Sequence, residues 1–251
     1  MQQLQFTGRT AAVTGASGGL GHALIGALRN AGAQVTGISR QYSTPHTPAT
    51  WNPADYDLVI FNAGFGYMQP SDAPLYERND VTEMFTVNLL QVIDQAQSAL
   101  AAGALHVHVV GSILSIVSCP YYAIYAATKY GLRGWAYGAA RELPGRVSIS
   151  YPNGIRTPYF QHLRGDPALL AAYAGQVEQA QQQYDTPDAV AQGILAGIAS
   201  GAREIIPTTY ALEWFIKNGE DIGRMWHPRL SQPSVEPFDW WKAVATYYDS
   251  L

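Results

Sequence analysis

The chain has 251 residues, 47% of them apolar and 14% charged, with a formal net charge of -4. That composition suits one well-buried domain and excludes a disordered chain, and the lack of a basic stripe argues against a nucleic-acid partner. A lone cysteine, Cys119, excludes an internal disulfide and a cysteine-rich metal site, so no metal is expected.

In chain order, residues 10–13 are β-prone and run into Thr14-Gly15-Ala16-Ser17-Gly18-Gly19-Leu20-Gly21. Residues 22–30 then read as a helix with Leu24, Ile25 and Leu28 on one face, stopped by Gly32. Residues 34–39 predict the second strand. Residues 41–56 hold three prolines and several small polar residues, so they read as a loop with at most a short strand near Thr50. Residues 57–62 (DLVIFN) predict a buried parallel strand. A long helix is expected over 81–100, a strand over 105–110, a helix over 124–143 and a strand over 147–151. Residues 158–185 predict helices or a mobile segment. Pro187 opens a helix that runs to 200, and 204–207 predict a last strand. This alternation implies one α/β domain over 1–251, a Rossmann-like doubly wound parallel sheet with helices on both faces. The first ten residues carry no apolar leader, and no apolar run reaches the roughly 18 residues of a membrane span, so a soluble cytoplasmic protein is expected.

The glycine-rich stretch follows a strand and opens a helix, which is where a dinucleotide pyrophosphate is held by bare backbone and a helix N-terminus. Two spacings coexist. Gly15, Gly19 and Gly21 give TGxxxGxG, while Gly15, Gly18 and Gly21 give TGxxGxxG. The motif alone does not choose between them.

Further pieces follow in order: Asn62-Ala63-Gly64, Asn88 in VNLL, Ser112 thirteen residues before Tyr125, Tyr125-Ala126-Ala127-Thr128-Lys129, and Pro152-Asn153-Gly154-Ile155-Arg156-Thr157. Taken together, these motifs resemble the short-chain dehydrogenase/reductase family in its compact form. The resemblance covers residues 10 to 157. It implies an oxidoreductase that moves a hydride between a nicotinamide and a carbonyl or alcohol carbon. It also implies that Lys129 binds the nicotinamide ribose and that Asn88 steadies a water relay behind it. Ile155 and Thr157 would contact the carboxamide and the phosphates. Gly15, Ser17, Gly18, Gly19, Leu20, Gly21, Asn62, Ala63 and Gly64 would line the cofactor site.

Tyr125 and Lys129 stand at i and i+4, so both project from one helix face. A free phenol has a pKa of about 10, too high for a base at neutral pH. A unit charge 4 Å away is worth roughly 4 kcal/mol at an effective dielectric of 20, a bound of about three pH units. Lys129 and an oxidised nicotinamide therefore bring Tyr125 within reach of proton transfer. Ser112 follows a strand and Gly111, at the strand end where open α/β sheets bind ligands, and can hydrogen-bond a substrate oxygen. Ser115 and Ser118 are its rivals.

The second strand ends in Ser39 and Arg40 where NAD-binding chains carry an acid. A neutral residue beside a guanidinium suits a 2′-phosphate, so NADP is expected over NAD. The 21 residues between Arg40 and Asn62 are too few for the usual helix and edge strand, so the helix is expected to be lost and the strand short or missing. Asn52 is a weak candidate for the adenine edge. Asn153 replaces the glycine of the family's PG pair and keeps the turn through asparagine's tolerance of left-handed backbone.

Residues 158–185 are expected to cover the substrate, with Tyr121, Tyr122, Tyr159, Phe160 and Leu163 as an apolar wall. The C-terminal aromatics Trp214, Phe215, Trp226, Trp240 and Trp241 bound a pocket, an interface or a lipid surface. His106 and His108 alternate on one strand and are read as a buried sheet face. Small residues on the two long helices, Gly131, Gly134 and Gly138 among them, imply a homodimer or homotetramer. The rival readings are a non-catalytic NADP-binding regulator, a halohydrin-cleaving lyase and an extended sugar-nucleotide epimerase. The intact Tyr125, Lys129 and glycine turn, and the short C-terminal part, oppose them.

Overall fold

A computed structural model describes residues 4–39, 51–75 and 77–213. Its first strand, β1 (Thr10–Thr14), carries the apolar run Ala11-Ala12-Val13, which is buried on both faces as the middle of a covered parallel sheet must be. The glycine turn then opens α1 (Gly19–Asn30), three residues earlier than the hydrophobic period predicts. Ala31 and Gly32 end it, with Gly32 at φ +87°, and β2 (Gln34–Ile38) follows. Arg40 and the possible strand near Thr50 lie outside the described residues. From Trp51 to Asp57 the chain forms one 3-10 turn, Pro53–Asp55, capped by the Asn52 side chain. Asn52 is thus occupied as a cap.

The apolar run becomes β3 (Leu58–Phe61). A two-residue strand β4 (Tyr67–Met68) follows. The long helix is α2 (Arg78–Phe85) continued through a π-helical turn, Thr86–Leu90, into α3 (Gln91–Ala101). It begins earlier than expected and is wound wider around Asn88. Next come β5 (His106–Val110), α4 (Ala123–Glu142) and β6 (Val147–Ser150). The region beyond is not wholly helical. A 3-10 turn, Pro158–His162, leads to β7 (Arg164–Gly165) and α5 (Pro167–Ala180). Then α6 (Pro187–Ser200) starts at a proline capped by Thr186 and stops at left-handed Gly201, and β8 (Glu204–Ile205) closes the sheet.

The main sheet is parallel, in the order β2-β1-β3-β5-β6-β8, with a separate β4-β7 pair. Among the described residues β2 has a neighbour on one side only. Alternation along the strands feeds two cores. Ala11, Val13, Leu58 and Ile60 meet Leu24 and Leu28 of α1 and Ile194 and Ile198 of α6. Ala12, Val59, Phe61, Val107 and Val109 meet Val92 and Ala96 of α3 and Leu132 and Ala136 of α4. Full burial of each such Leu or Ile stabilises by about 1.5–3 kcal/mol.

One stripe of the sheet is polar. His106 bonds the Gly145 carbonyl at 2.9 Å and Ser148 Oγ at 2.7 Å. His108 bonds Ser148 Oγ at 2.8 Å and Ser150 Oγ at 2.9 Å. Burial draws the His106 imidazole down to about 4 and holds His108 well below the usual range, so both are neutral. The described residues contain no cluster of metal-ligating side chains, and none of their helices is long and apolar enough to cross a membrane.

Candidate active site

The cleft lies at the C-terminal ends of β1, β3, β5 and β6. Its volume is about 1470 Å³. Clefts that hold one drug-sized ligand measure roughly 300–1,000 Å³, so this one exceeds the space that a single such ligand needs.

At its floor the glycine turn resolves the ambiguous spacing. A Cβ on Gly21 would stand 2.2 Å from the Gly15 carbonyl oxygen, and one on Gly19 would stand 2.6 Å from Thr157 Cγ2. Gly15 itself has φ +67°, and a Cβ there would meet Asn62 and Ala63 at under 3.0 Å. At Gly18 the nearest atom is 3.4 Å away, an ordinary contact. The packed glycines are therefore Gly15, Gly19 and Gly21. The N-terminus of α1 opens onto this bare surface, and Ser17, Gly18 and Leu20 line it. A pyrophosphate fits that cradle.

The turn is locked from behind. Thr14 Oγ1 accepts from the backbone N–H groups of Asn62 and Ala63, both at 3.0 Å. Asn62 Nδ2 donates to the Thr14 carbonyl at 3.0 Å and to that of Gly15 at 3.3 Å. The Asn62-Ala63-Gly64 segment thus staples β3 to the glycine turn, and all three residues line the cleft. At the adenosine end Ser39 Oγ donates to Ser17 Oγ at 2.9 Å. Arg40 falls outside the described residues.

Tyr125 and Lys129 are both buried and sit on one face of α4, with the ammonium 5.7 Å from the phenol ring centroid. Lys129 Nζ donates to the Val110 carbonyl at 3.1 Å, which ties α4 to the end of β5. Ser112 caps the turn Ile113–Ser115. Its Oγ accepts from Leu114 N, and Ser115 Oγ accepts from Ser112 N, both at 3.1 Å. Ser112 faces the cleft, whereas Ser115 is fully buried beneath it. Asn88 is also fully buried. Its Oδ1 accepts from Phe65 N at 3.1 Å, and its Nδ2 donates to the Phe65 carbonyl at 2.9 Å and to Thr128 Oγ1 at 3.4 Å. A Cβ on Gly64 would stand 2.9 Å from Asn88 Oδ1 and 3.8 Å from Lys129 Nζ. Asn88 therefore fixes the wall behind the lysine.

Ile155 and Thr157 line the same cleft. Asn153 does so too, but its backbone is not left-handed, contrary to expectation, so the asparagine meets no strain there. Its buried Nδ2 has no hydrogen-bond partner among the described residues, a donor left for a bound group.

Tyr121, Tyr122, Tyr159, Phe160 and Leu163 all reach the cleft, as the sequence predicts. Sequence reasoning missed Tyr173, Tyr184 and Tyr210, which extend the aromatic wall through ring contacts of 5.4 to 6.4 Å. It also missed the clamp on this wall. β7 pairs with β4, Arg164 bonds Asp80 at 2.8 Å and Glu83 at 2.7 Å, and its guanidinium stacks 4.2 Å from the Phe65 ring centroid. The second end is pinned where Arg156 N donates to the Asp185 carbonyl and Asp185 N to that of Gly154. Burial raises the phenols of Tyr122 and Tyr159, and moves Tyr184 up to about 12.

A family model described as short chain dehydrogenase matches residues 52–168. L-xylulose reductase of Bos taurus is 30% identical over an alignment of 199 positions that covers 67% of this chain and 81% of the reductase. The chain belongs to the short-chain dehydrogenase/reductase family. Two solved short-chain dehydrogenases share the fold. One from Burkholderia cenocepacia J2315, in complex with NADP, superposes with a TM-score of 0.67 at 23% identity, over 88% of this chain and 98% of that one. Another, from Burkholderia phymatum, in complex with NAD, gives 0.68 at 20% identity over 93% and 100%. This short-chain dehydrogenase/reductase is thus an NAD(P)-dependent oxidoreductase acting on CH–OH or C=O carbon.

Proposed function

We propose that this enzyme interconverts a carbonyl compound and a secondary alcohol with NADP, and that Tyr125 carries the proton. The observation behind this reading is that Tyr125, Lys129 and Ser112 border one cleft together with the packed glycines Gly15, Gly19 and Gly21. Nicotinamide, when bound, supplies or takes the hydride. The other steps belong to side chains.

Ser112 Oγ already accepts from Leu114 N, so its own proton is free to point at a substrate oxygen. Lys129 spends one of three N–H groups on the Val110 carbonyl. The remaining two serve the nicotinamide ribose, and its charge stands 5.7 Å from the centre of the Tyr125 ring. Tyr125 then gives its proton to the carbonyl oxygen in reduction and takes it back in oxidation. Asn88 works by position, holding Phe65 and Gly64 against Lys129. Ile155, Thr157 and the unpaired amide of Asn153 face the nicotinamide half of the cofactor. Ser39, held by Ser17, and Arg40 receive the 2′-phosphate. Residues 158–185 cover the substrate.

We also place the enzyme in the cytoplasm as a homodimer or homotetramer joined through α3 and α4. The exposed stripe Ala127, Gly131 and Gly134 and the 58% exposed Leu90 support that contact. A non-catalytic regulator would have no use for the Tyr125–Lys129 pair. The test follows the nicotinamide absorbance with NADPH and NADH against a panel of ketones, aldehydes and alcohols. Turnover should favour NADPH, and Tyr125→Phe should cut it by about 10²–10⁴-fold while leaving NADPH binding nearly unchanged. Full activity in that variant, or a preference for NADH, overturns the corresponding part.

A further inference from the structure

A row of ring contacts starts at Tyr125 and leads away from it through the cleft. Tyr125 meets Tyr122 at 6.0 Å between ring centres, Tyr122 meets Tyr173 at 6.0 Å, and Tyr173 meets Phe160 at 6.4 Å. Phe160 then meets Tyr184 at 5.4 Å, and Tyr184 meets Tyr210 at 6.4 Å. Attractive aromatic pairs lie roughly 4.5–7 Å apart, so each link of the row is a true contact. The rings come from α4 and its cap, from α5, from the turn Pro158–His162 and from two later segments. All six line the cleft, yet only Tyr122 and Tyr125 are buried. The other four are half-buried and keep surface open.

Tyr121 adds a ring at the same cleft by a costlier route. Its φ is +70°, in the left-handed region that bulky residues rarely adopt, and the residue is 48% exposed. Its carbonyl accepts from Gln69 N at 2.9 Å, which ties the strained turn to the chain beyond β4. Packing does not account for an exposed ring in a strained turn, whereas a ligand laid across it does.

We propose that the substrate is a flat, uncharged ketone or secondary alcohol with an aromatic body, lying ring against ring along this row with its reacting carbon at Tyr125. The inference rests on the reading of Tyr125 as the proton carrier and names the substrate class of that site. In reduction the carbonyl carbon takes the hydride and its oxygen takes the Tyr125 proton, giving the alcohol and NADP⁺. The row offers π faces and phenols but neither carboxylate nor amide for the hydroxyls of a sugar. A phenol ionises only near a pH of about 10, so the row is uncharged at neutral pH. Among the described residues, the other groups bordering the cleft that can carry charge are Lys129, Glu83, Arg164 and His162. Lys129 stands at the catalytic end, Arg164 is shared by Asp80 and Glu83, and His162 is exposed. An anionic substrate would thus give up its hydration for a guanidinium already held by two carboxylates.

Binding is measured by calorimetry on the enzyme saturated with NADP⁺, which has no hydride to give, so a ketone binds without turnover. The probes are acetylnaphthalene, acetylnaphthoate and xylulose, which are flat and uncharged, flat and anionic, and polar. Acetylnaphthalene should bind at least about tenfold more tightly than either of the others. Phe160→Leu and Tyr173→Leu keep apolar bulk and remove one ring each. Each should weaken acetylnaphthalene by about three- to tenfold, the worth of one aromatic pair, and leave xylulose and NADP⁺ unchanged. If xylulose or acetylnaphthoate binds as tightly as acetylnaphthalene, or both variants bind acetylnaphthalene like the parent, the substrate class is wrong. The reading of Tyr125 is then judged separately, by turnover of the panel with NADPH. If acetylnaphthalene binds as expected but is not reduced with NADPH, the reading of Tyr125 falls and takes the substrate assignment with it. If both variants lose NADP⁺ affinity and weaken all three ketones alike, the rings are structural and the proposal is again overturned.

Discussion

Lys129 lies 5.7 Å from the centre of the Tyr125 ring, yet its ammonium donates to the carbonyl of Val110, on the strand beyond. The bond fixes a charge beside a phenol at the meeting point of α4 and β5. Lys129→Met keeps the length of the stem and removes both the charge and the bond. We expect kcat/KM to fall by about 10²–10⁴-fold. NADPH affinity should fall as well, which separates this variant from Tyr125→Phe. Steady-state rates and quenching of protein fluorescence by NADPH measure the two effects.

The glycine turn gives opposite predictions at two neighbouring positions. Among the described residues Gly18 has no atom closer than 3.4 Å to an added Cβ, and its backbone is ordinary and extended, so Gly18→Arg is accommodated. A guanidinium there adds a charge-assisted bond to the 2′-phosphate, and we expect the preference for NADPH over NADH to rise by about tenfold. Gly21→Ala drives a methyl to 2.2 Å from the Gly15 carbonyl oxygen and should abolish binding of both cofactors. Titration of each variant with each cofactor decides the matter.

The buried histidines make stability depend on acid. The folded His106 takes a proton only near pH 4, while in the unfolded chain it does so near its ordinary 6.5. The unfolded state therefore binds more protons as pH falls through this window, and stability falls with it. His106 alone should account for a loss of about 2 kcal/mol between pH 7 and pH 5. His108, also held low by burial, adds to it. Urea midpoints at the two values report the loss. His106→Gln should lower stability at pH 7 and flatten the acid limb.

The exposed face of α4 tests the assembly. Among the described residues, and apart from the helix's own backbone, no atom lies within 4 Å of where a Cβ on Gly134 would stand. Gly134→Trp should leave the protomer folded and, if two copies meet there, turn the oligomer into monomer in sedimentation velocity. An unchanged oligomer places the contact elsewhere.

Much of this was legible from residue order. The strand run 57–62 and the proline-started helix at 187 follow from apolar pattern and caps, which are local. Ser112 could be preferred over Ser115 because it sits at a strand end, and the structure puts Ser115 under the floor. Other features depend on partners distant in sequence. Whether Gly18 or Gly19 is packed turns on Thr157, which lies far along the chain. The π-helical turn at Asn88 leaves the hydrophobic period almost intact, so nothing in the spacing announces it. The β4–β7 pair is two residues long, too short to show alternation. Tyr173 and Tyr184 sit in a stretch rich in Ala and Gln, where their rings look like surface residues.

The row of imidazoles and hydroxyls on β5 and β6 can be assembled in one sense only. A carbonyl cannot donate, so His106 must carry its hydrogen on Nδ1, toward Gly145. Its bare Nε2 then obliges Ser148 to donate, and the Ser148 oxygen in turn accepts from Nδ1 of His108. Ser150 completes the row by donating to the last bare nitrogen. Four side chains thus share a single polarity imposed at one terminus. Replacing Ser148 with alanine would strand an acceptor and a donor together, so these residues can be exchanged without penalty only as a set.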